Sequence, residues 1–260
     1  MYPDQQSKNI AVGAVKEKFP RKCGDFLRFD LQIRNNMLQS CALVVMEIDS
    51  SNVLYLIGGP NGSGKTTLFN KLFCNRPDIK FLNSDELARD LSITPQHAGM
   101  LVLDKMNTIF STHDSFVFET TLAGKFPGKL IRRAHSEGYK VEFLYVILSS
   151  VEQNLARVRE RVERGGHNVA ESIVRRRHDK SLCNFDAIYK LVDDWRLYNN
   201  AGAEYCLVAS GHEGGDIDIV EPEMYKKFVE CKDSIVSKYI ADLAARRAAR
   251  VASNLQIKSH

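Results

Sequence analysis

The residues Gly59, Pro60, Asn61, Gly62, Ser63, Gly64, Lys65 and Thr66 spell GxxxxGK[ST], and a second threonine, Thr67, follows. Polyphosphate is held by a concave array of backbone N–H donors, and glycines let the chain curl around the anion without a Cβ in the way. The stretch follows an apolar run and opens a helical pattern, so the first helical turn adds its unpaired N–H groups and the positive end of its dipole. Lys65 is then expected to meet the β- and γ-phosphates, the Thr66 hydroxyl to become a ligand of Mg²⁺, and Thr67 to cap the helix or touch the α-phosphate. The implied ligand is a nucleoside triphosphate.

Phosphoryl transfer needs an acceptor in line with the γ-phosphate and a group to take its proton, and a carboxylate at the C-terminal edge of a neighbouring strand can do this. Asp85 stands at such an edge after Phe81-Leu-Asn-Ser84; it can serve as that base or cap the next helix. Glu119, Thr120 and Thr121 end another apolar run, where Glu119 can bind acceptor hydroxyls or support a metal-bound water and the threonines can bind acceptor or cap a helix. Arg157, Arg161 and Arg164 recur at i, i+4 and i+7 ahead of Gly165-Gly166, and Arg175, Arg176 and Arg177 follow. Such arginines form either a solvated face or a lid that closes on charge developing at the transferred group and excludes water. The chain has no NKxD, no DxxG after a later strand, no LSGGQ-like segment and no strand ending in Asp-Glu, which disfavours GTPases, transporter ATPases and motor ATPases.

The elements that must position these groups alternate. Apolar runs at Val53–Gly58, Lys80–Asn83, Ser115–Glu119, Val141–Leu148 and Glu204–Ala209 are separated by helical periods at Gly64–Cys74, Pro95–Ser111, Lys125–Glu137 and Val151–Glu163. Further helices are expected at Val169–Leu182, from there to Tyr198, and as one or two helices over Pro222–Leu255. Near-continuous apolar runs between helices predict a five-stranded parallel sheet of an α/β phosphate-loop fold. Residues 1–45 read as an N-terminal extension with strand character at Ala42–Ile48, 46–215 as the kinase-type domain and 216–260 as a C-terminal helical extension; Met46 is a second candidate start.

Bulk properties narrow the partners. The formal charge is +4, and Arg246, Arg247, Arg250 and Lys258 after Asp242 account for all of it, so the rest of the chain balances and nucleic acid is not indicated. No apolar stretch approaches the ~18 residues of a membrane span, and the first residues lack a leader-type apolar segment, so a soluble cytoplasmic protein is expected. Six scattered cysteines, Cys23, Cys41, Cys74, Cys183, Cys206 and Cys231, contain no CxxC pair and read as reduced thiols.

The chain resembles the zeta-toxin family of P-loop kinases, in its short bacterial branch, over roughly Val53 to Ser210. The matching pieces are Ile57-Gly-Gly-Pro-Asn-Gly-Ser-Gly-Lys-Thr-Thr67, Asn83-Ser-Asp85, Phe118-Glu-Thr-Thr-Leu-Ala123, Arg161-Val-Glu-Arg-Gly-Gly-His167 with Arg175-Arg-Arg177, and Asp194-Trp-Arg-Leu-Tyr-Asn199. The resemblance implies ATP as donor, Asp85 as general base, lid arginines as phosphate ligands and Glu119 and Thr120 on the acceptor side. It also implies a small-molecule acceptor, a nucleotide-activated sugar in the toxins, and an inhibitory antitoxin protein as partner.

Overall fold

A computed structural model describes residues 52–166 and 168–258. The expectations for residues 1–45, the strand at Ala42–Ile48, the start at Met46, and Cys23, Cys41 and His167 lie outside the described residues.

The chain forms β1 (Val53–Gly58), α1 (Lys65–Phe73), β2 (Lys80–Leu82), α2 (Ser84–Asp90), α3 (Pro95–Thr112), β3 (Phe116–Thr120) and α4 (Phe126–Ser136). It continues through β4 (Lys140–Ile147), α5 (Val151–Glu163), α6 (Glu171–Tyr189), β5 (Asp194–Asn199), β6 (Cys206–His212), β7 (Asp218–Ile219) and α7 (Pro222–Lys258). The strands make one mixed sheet in the order β2-β3-β1-β4-β5-β6-β7. The first five in that order are parallel, and β6 and β7 are antiparallel. The expected sheet of five parallel strands is therefore corrected to seven strands of mixed direction.

Two segments add the extra strands, Asp194–Asn199 and the two-residue β7, and the sheet's direction changes after the first of them. Asp194–Asn199, expected to end a helix, instead pairs in parallel with β4, and the run at Glu204–Ala209 becomes the antiparallel β6. The preceding helix is a single one ending at Tyr189. Helical periodicity is lost after it, while Trp195 and Leu197 alternate into the core beside half-buried Asp194 and Arg196, the period-two pattern of a strand.

Both faces of the sheet are covered. In β1, Leu54 and Leu56 join the core beneath α3, α4, α6 and α7, while Val53, Tyr55 and Ile57 join a second cluster with Leu68 and Phe73 of α1. A strand apolar on both faces is what the continuous run predicted. α7 is one continuous helix whose Phe228 meets Phe185 of α6 at 5.1 Å, and Lys232 reaches Asp186 at 2.6 Å. The C-terminal helix is thereby joined to the common core.

The topology makes a crevice. β1 lies between β3 and β4, and the chain leaves its C-terminal end into the glycine-rich loop. The register sets Ile57 opposite Glu119 and Gly58 opposite Thr120, so the end of β3 is brought beside that loop. Ligands of open α/β sheets occupy such a switch point.

Candidate active site

The loop between β1 and α1 has a backbone that only glycine tolerates at two critical places. Gly59 has φ 146°, and a Cβ there would collide with the Val146 carbonyl; Gly64 has φ 102°, and a Cβ would strike Asn200 and Tyr205. Lys65 is 6% exposed and its Nζ donates to the Pro60 carbonyl at 3.0 Å, with Glu119 Oε1 at 3.9 Å. Burial pulls the Lys65 ammonium below the usual lysine range, against the opposing pull of the Glu119 and Asp85 carboxylates. A buried ammonium with one weak ion pair is under-compensated, and incoming phosphate would complete it.

Thr66 Oγ1 donates to Glu119 Oε2 at 2.7 Å. These oxygens, beside a cradle for phosphate, fit a hard divalent cation that takes most of its ligands from phosphate and water. Among the described residues no group of three His, Cys, Asp or Glu could hold a metal without such help.

Across the cleft, Asn83 settles what Asp85 does not do. Asn83 Oδ1 accepts the N–H groups of Asp85 at 2.9 Å and Glu86 at 3.2 Å and so caps α2. The Asp85 carboxylate is left at the cleft, 3.8 Å from Arg177 Nη1. Thr120 Oγ1 accepts the Leu122 N–H at 3.1 Å in a local turn, and α4 begins only at Phe126, so neither Thr120 nor Thr121 caps that helix. Both line the cleft with Glu119. Glu86 also lines it, and burial raises its carboxyl above the usual range, with Arg89 opposing.

The cleft has a volume of about 780 Å³. Seven cationic side chains line it against four acidic ones: Lys65, Lys71, Arg89, Arg157, Arg161, Arg164 and Arg177 against Asp85, Glu86, Glu119 and Glu160. Arg157 and Arg161 of α5 and Arg164 at its C-terminal cap therefore line the same cleft, as their spacing suggests. Arg175 and Arg176 do not reach it. Arg175 is held by Glu171 at 2.8 Å and Glu152 at 3.0 Å, and both side chains are exposed. Arg177 replaces them, with Nη1 3.5 Å from Asn61 Oδ1 as well as near Asp85.

Val174, His178, Ser181, Leu182, Phe185 and Ile188 form the buried stripe of α6. At roughly 100° per residue, Arg175 and Arg177 flank that stripe on opposite sides and Arg176 points away from it. Only the flank of Arg177 lines the cleft, so helical spacing sets Arg176 aside and the packing of α6 decides between the other two.

Other residues had no local signal. Asn154 Nδ2 donates to the Asn61 carbonyl at 2.8 Å, Asn200 Nδ2 to the Ser63 carbonyl at 2.8 Å, and Tyr205 Oη to the Gly64 carbonyl at 2.7 Å. Arg157 Nη2 in turn holds the Asn200 carbonyl at 2.6 Å.

No protein-family model matches the chain. A stretch of 128 residues is 34% identical to an uncharacterised protein of Haemophilus influenzae, covering 46% of this chain and 88% of that protein. Among solved structures, a chain in the ATP-containing crystal structure of AvrRxo1-ORF1:-ORF2 is similar with TM-score 0.59 at 18% identity, over 78% of this chain and 70% of that one. A chain from the PezAT toxin-antitoxin system of Streptococcus pneumoniae aligns with TM-score 0.49 at 14% identity, over 85% of this chain and 98% of that one.

Proposed function

We propose that this chain, which belongs to one family with the Haemophilus influenzae protein and has a zeta-toxin-like P-loop kinase fold, transfers the γ-phosphoryl group of ATP to a hydroxyl of a small molecule. The observation that carries the reading is the pairing of two walls. One wall holds Glu119 at 3.9 Å from Lys65 and 2.7 Å from Thr66 beside the glycine-rich loop; the other presents Asp85, relieved of capping by Asn83, beside Arg177. A triphosphate in the cradle would face a carboxylate at the cleft rather than bulk water. Asp85 takes the acceptor proton, Glu119 with Thr120 and Thr121 orients the acceptor, and Arg161, Arg164 and Arg177 meet charge spreading over the transferred group. When bound, Mg²⁺ would be held by Thr66 and, through water, by Glu119, neutralising phosphate charge.

The resemblance directs the acceptor search to nucleotide-activated sugars. The AvrRxo1 neighbour was crystallised as a complex of two proteins, which supports a protein partner for this chain, and no helix of the described residues is long and apolar enough to cross a membrane. The test is incubation of the protein with ATP and a cytosolic metabolite extract, followed by mass spectrometry for species heavier by one phosphate. Asp85→Asn should lower product formation about 10²- to 10⁴-fold while ATP affinity stays within about twofold. Full activity in that variant removes Asp85 from the chemistry, and phosphorylation of RNA ends in place of metabolites reassigns the acceptor.

A further inference from the structure

The glycine-rich loop is gripped by three buried side chains that lie 93, 137 and 141 residues from it in sequence. Each donates to a different loop carbonyl: Asn154 to Asn61, Asn200 to Ser63, Tyr205 to Gly64. In a planar trans peptide the C=O and the following N–H point in opposite directions. Anchoring those three carbonyls, with the Gly64 carbonyl shared between Tyr205 and the Leu68 N–H at 2.9 Å, turns the N–H groups of Gly62, Gly64 and Lys65 the other way, toward the cradle. Within the described residues none of these three N–H groups donates a hydrogen bond. A loop rich in glycine has many alternative conformations, and holding one of them before the ligand arrives removes an ordering cost from binding.

We propose that Tyr205, Asn200 and Asn154 are positioning residues of the triphosphate cradle, fixing the N–H groups of Lys65, Gly64 and Gly62 for the anion. Arg157 extends the grip: through the Asn200 carbonyl it ties the loop after β5 to α5, the helix that carries Arg161 and is capped by Arg164. Gly64 is required for this arrangement as well as for the turn, because Asn200 and Tyr205 occupy the space a Cβ would need. The inference rests on the proposed use of ATP, but it concerns the polyphosphate alone.

The experiment displaces a fluorescent ATP analogue from the full chain with ATP and, separately, with tripolyphosphate, which has the anion and no nucleoside. Tyr205→Phe keeps the ring and removes one donor; Asn200→Ala is the second variant. Titration stoichiometry counts folded molecules, so loss of folded protein does not enter the affinity. Each variant should weaken ATP and tripolyphosphate together by about 2- to 10-fold, the range expected for one neutral hydrogen bond. A drop for ATP with tripolyphosphate unchanged would overturn the proposal, since these residues would then serve the nucleoside; so would unchanged affinity for both. Absence of binding to the unmodified protein would instead sink the ATP-dependent reading itself.

Discussion

Replacing Glu119 by Gln isolates one charge in the cleft. The amide oxygen can still accept from Thr66, so the 2.7 Å hydrogen bond is kept while the ion pair to Lys65 is lost. At 3.9 Å and an effective dielectric constant near 20, the lost attraction is about 4 kcal/mol. Lys65 keeps the Pro60 carbonyl and the more distant pull of Asp85, so the net cost in the ligand-free protein should be about 3 kcal/mol, the lower end for stranding a buried charge. For a domain of this size that corresponds to a fall in Tm of about 6–12 °C. Triphosphate would return a negative partner to Lys65, so with saturating ATP and a chelator present the fall should shrink to a few degrees. Thermal denaturation with and without ATP measures both. Equal falls in the two conditions, or none in the ligand-free protein, would refute the claim that Lys65 waits for phosphate with Glu119 as its interim counter-ion.

Arg177→Ala should lower phosphoryl transfer at least tenfold, while Arg175→Ala, which loses only exposed ion pairs to Glu152 and Glu171, should leave it within twofold; steady-state rates decide. Burial holds the Tyr198 and Tyr205 phenols at about 12, above the ordinary value near 10 that they regain on unfolding. Their stabilisation is therefore complete below pH 10 and is lost as pH rises toward 12, so phenolate absorbance and unfolding should rise together in that window. Phe228→Ala, which empties the contact of α7 with Phe185, should cost about 3–5 kcal/mol in urea denaturation.

The sequence alone determined the parts whose physics is local. Glycines before Lys65-Thr66 specify a phosphate cradle because curling the backbone is a property of a few adjacent residues, and β1 was legible because residues apolar on both faces can only be buried on both. The arginine wall beside α5 followed from helical spacing, and Asp85 was expected just beyond β2, where it lines the cleft. What the local pattern left open was decided by contacts far along the chain. Whether Asp194–Asn199 is helix or strand depends on the β4 edge that pairs with it, and Asn83 against Asp85 as the cap depends on which side chain turns back onto the helix. Asn154, Asn200 and Tyr205 carry no motif, for an asparagine or tyrosine is ordinary until the fold brings a loop carbonyl within 2.8 Å of it. The cradle was thus written in eight consecutive residues, whereas its orientation rests on donors that only the tertiary fold brings together.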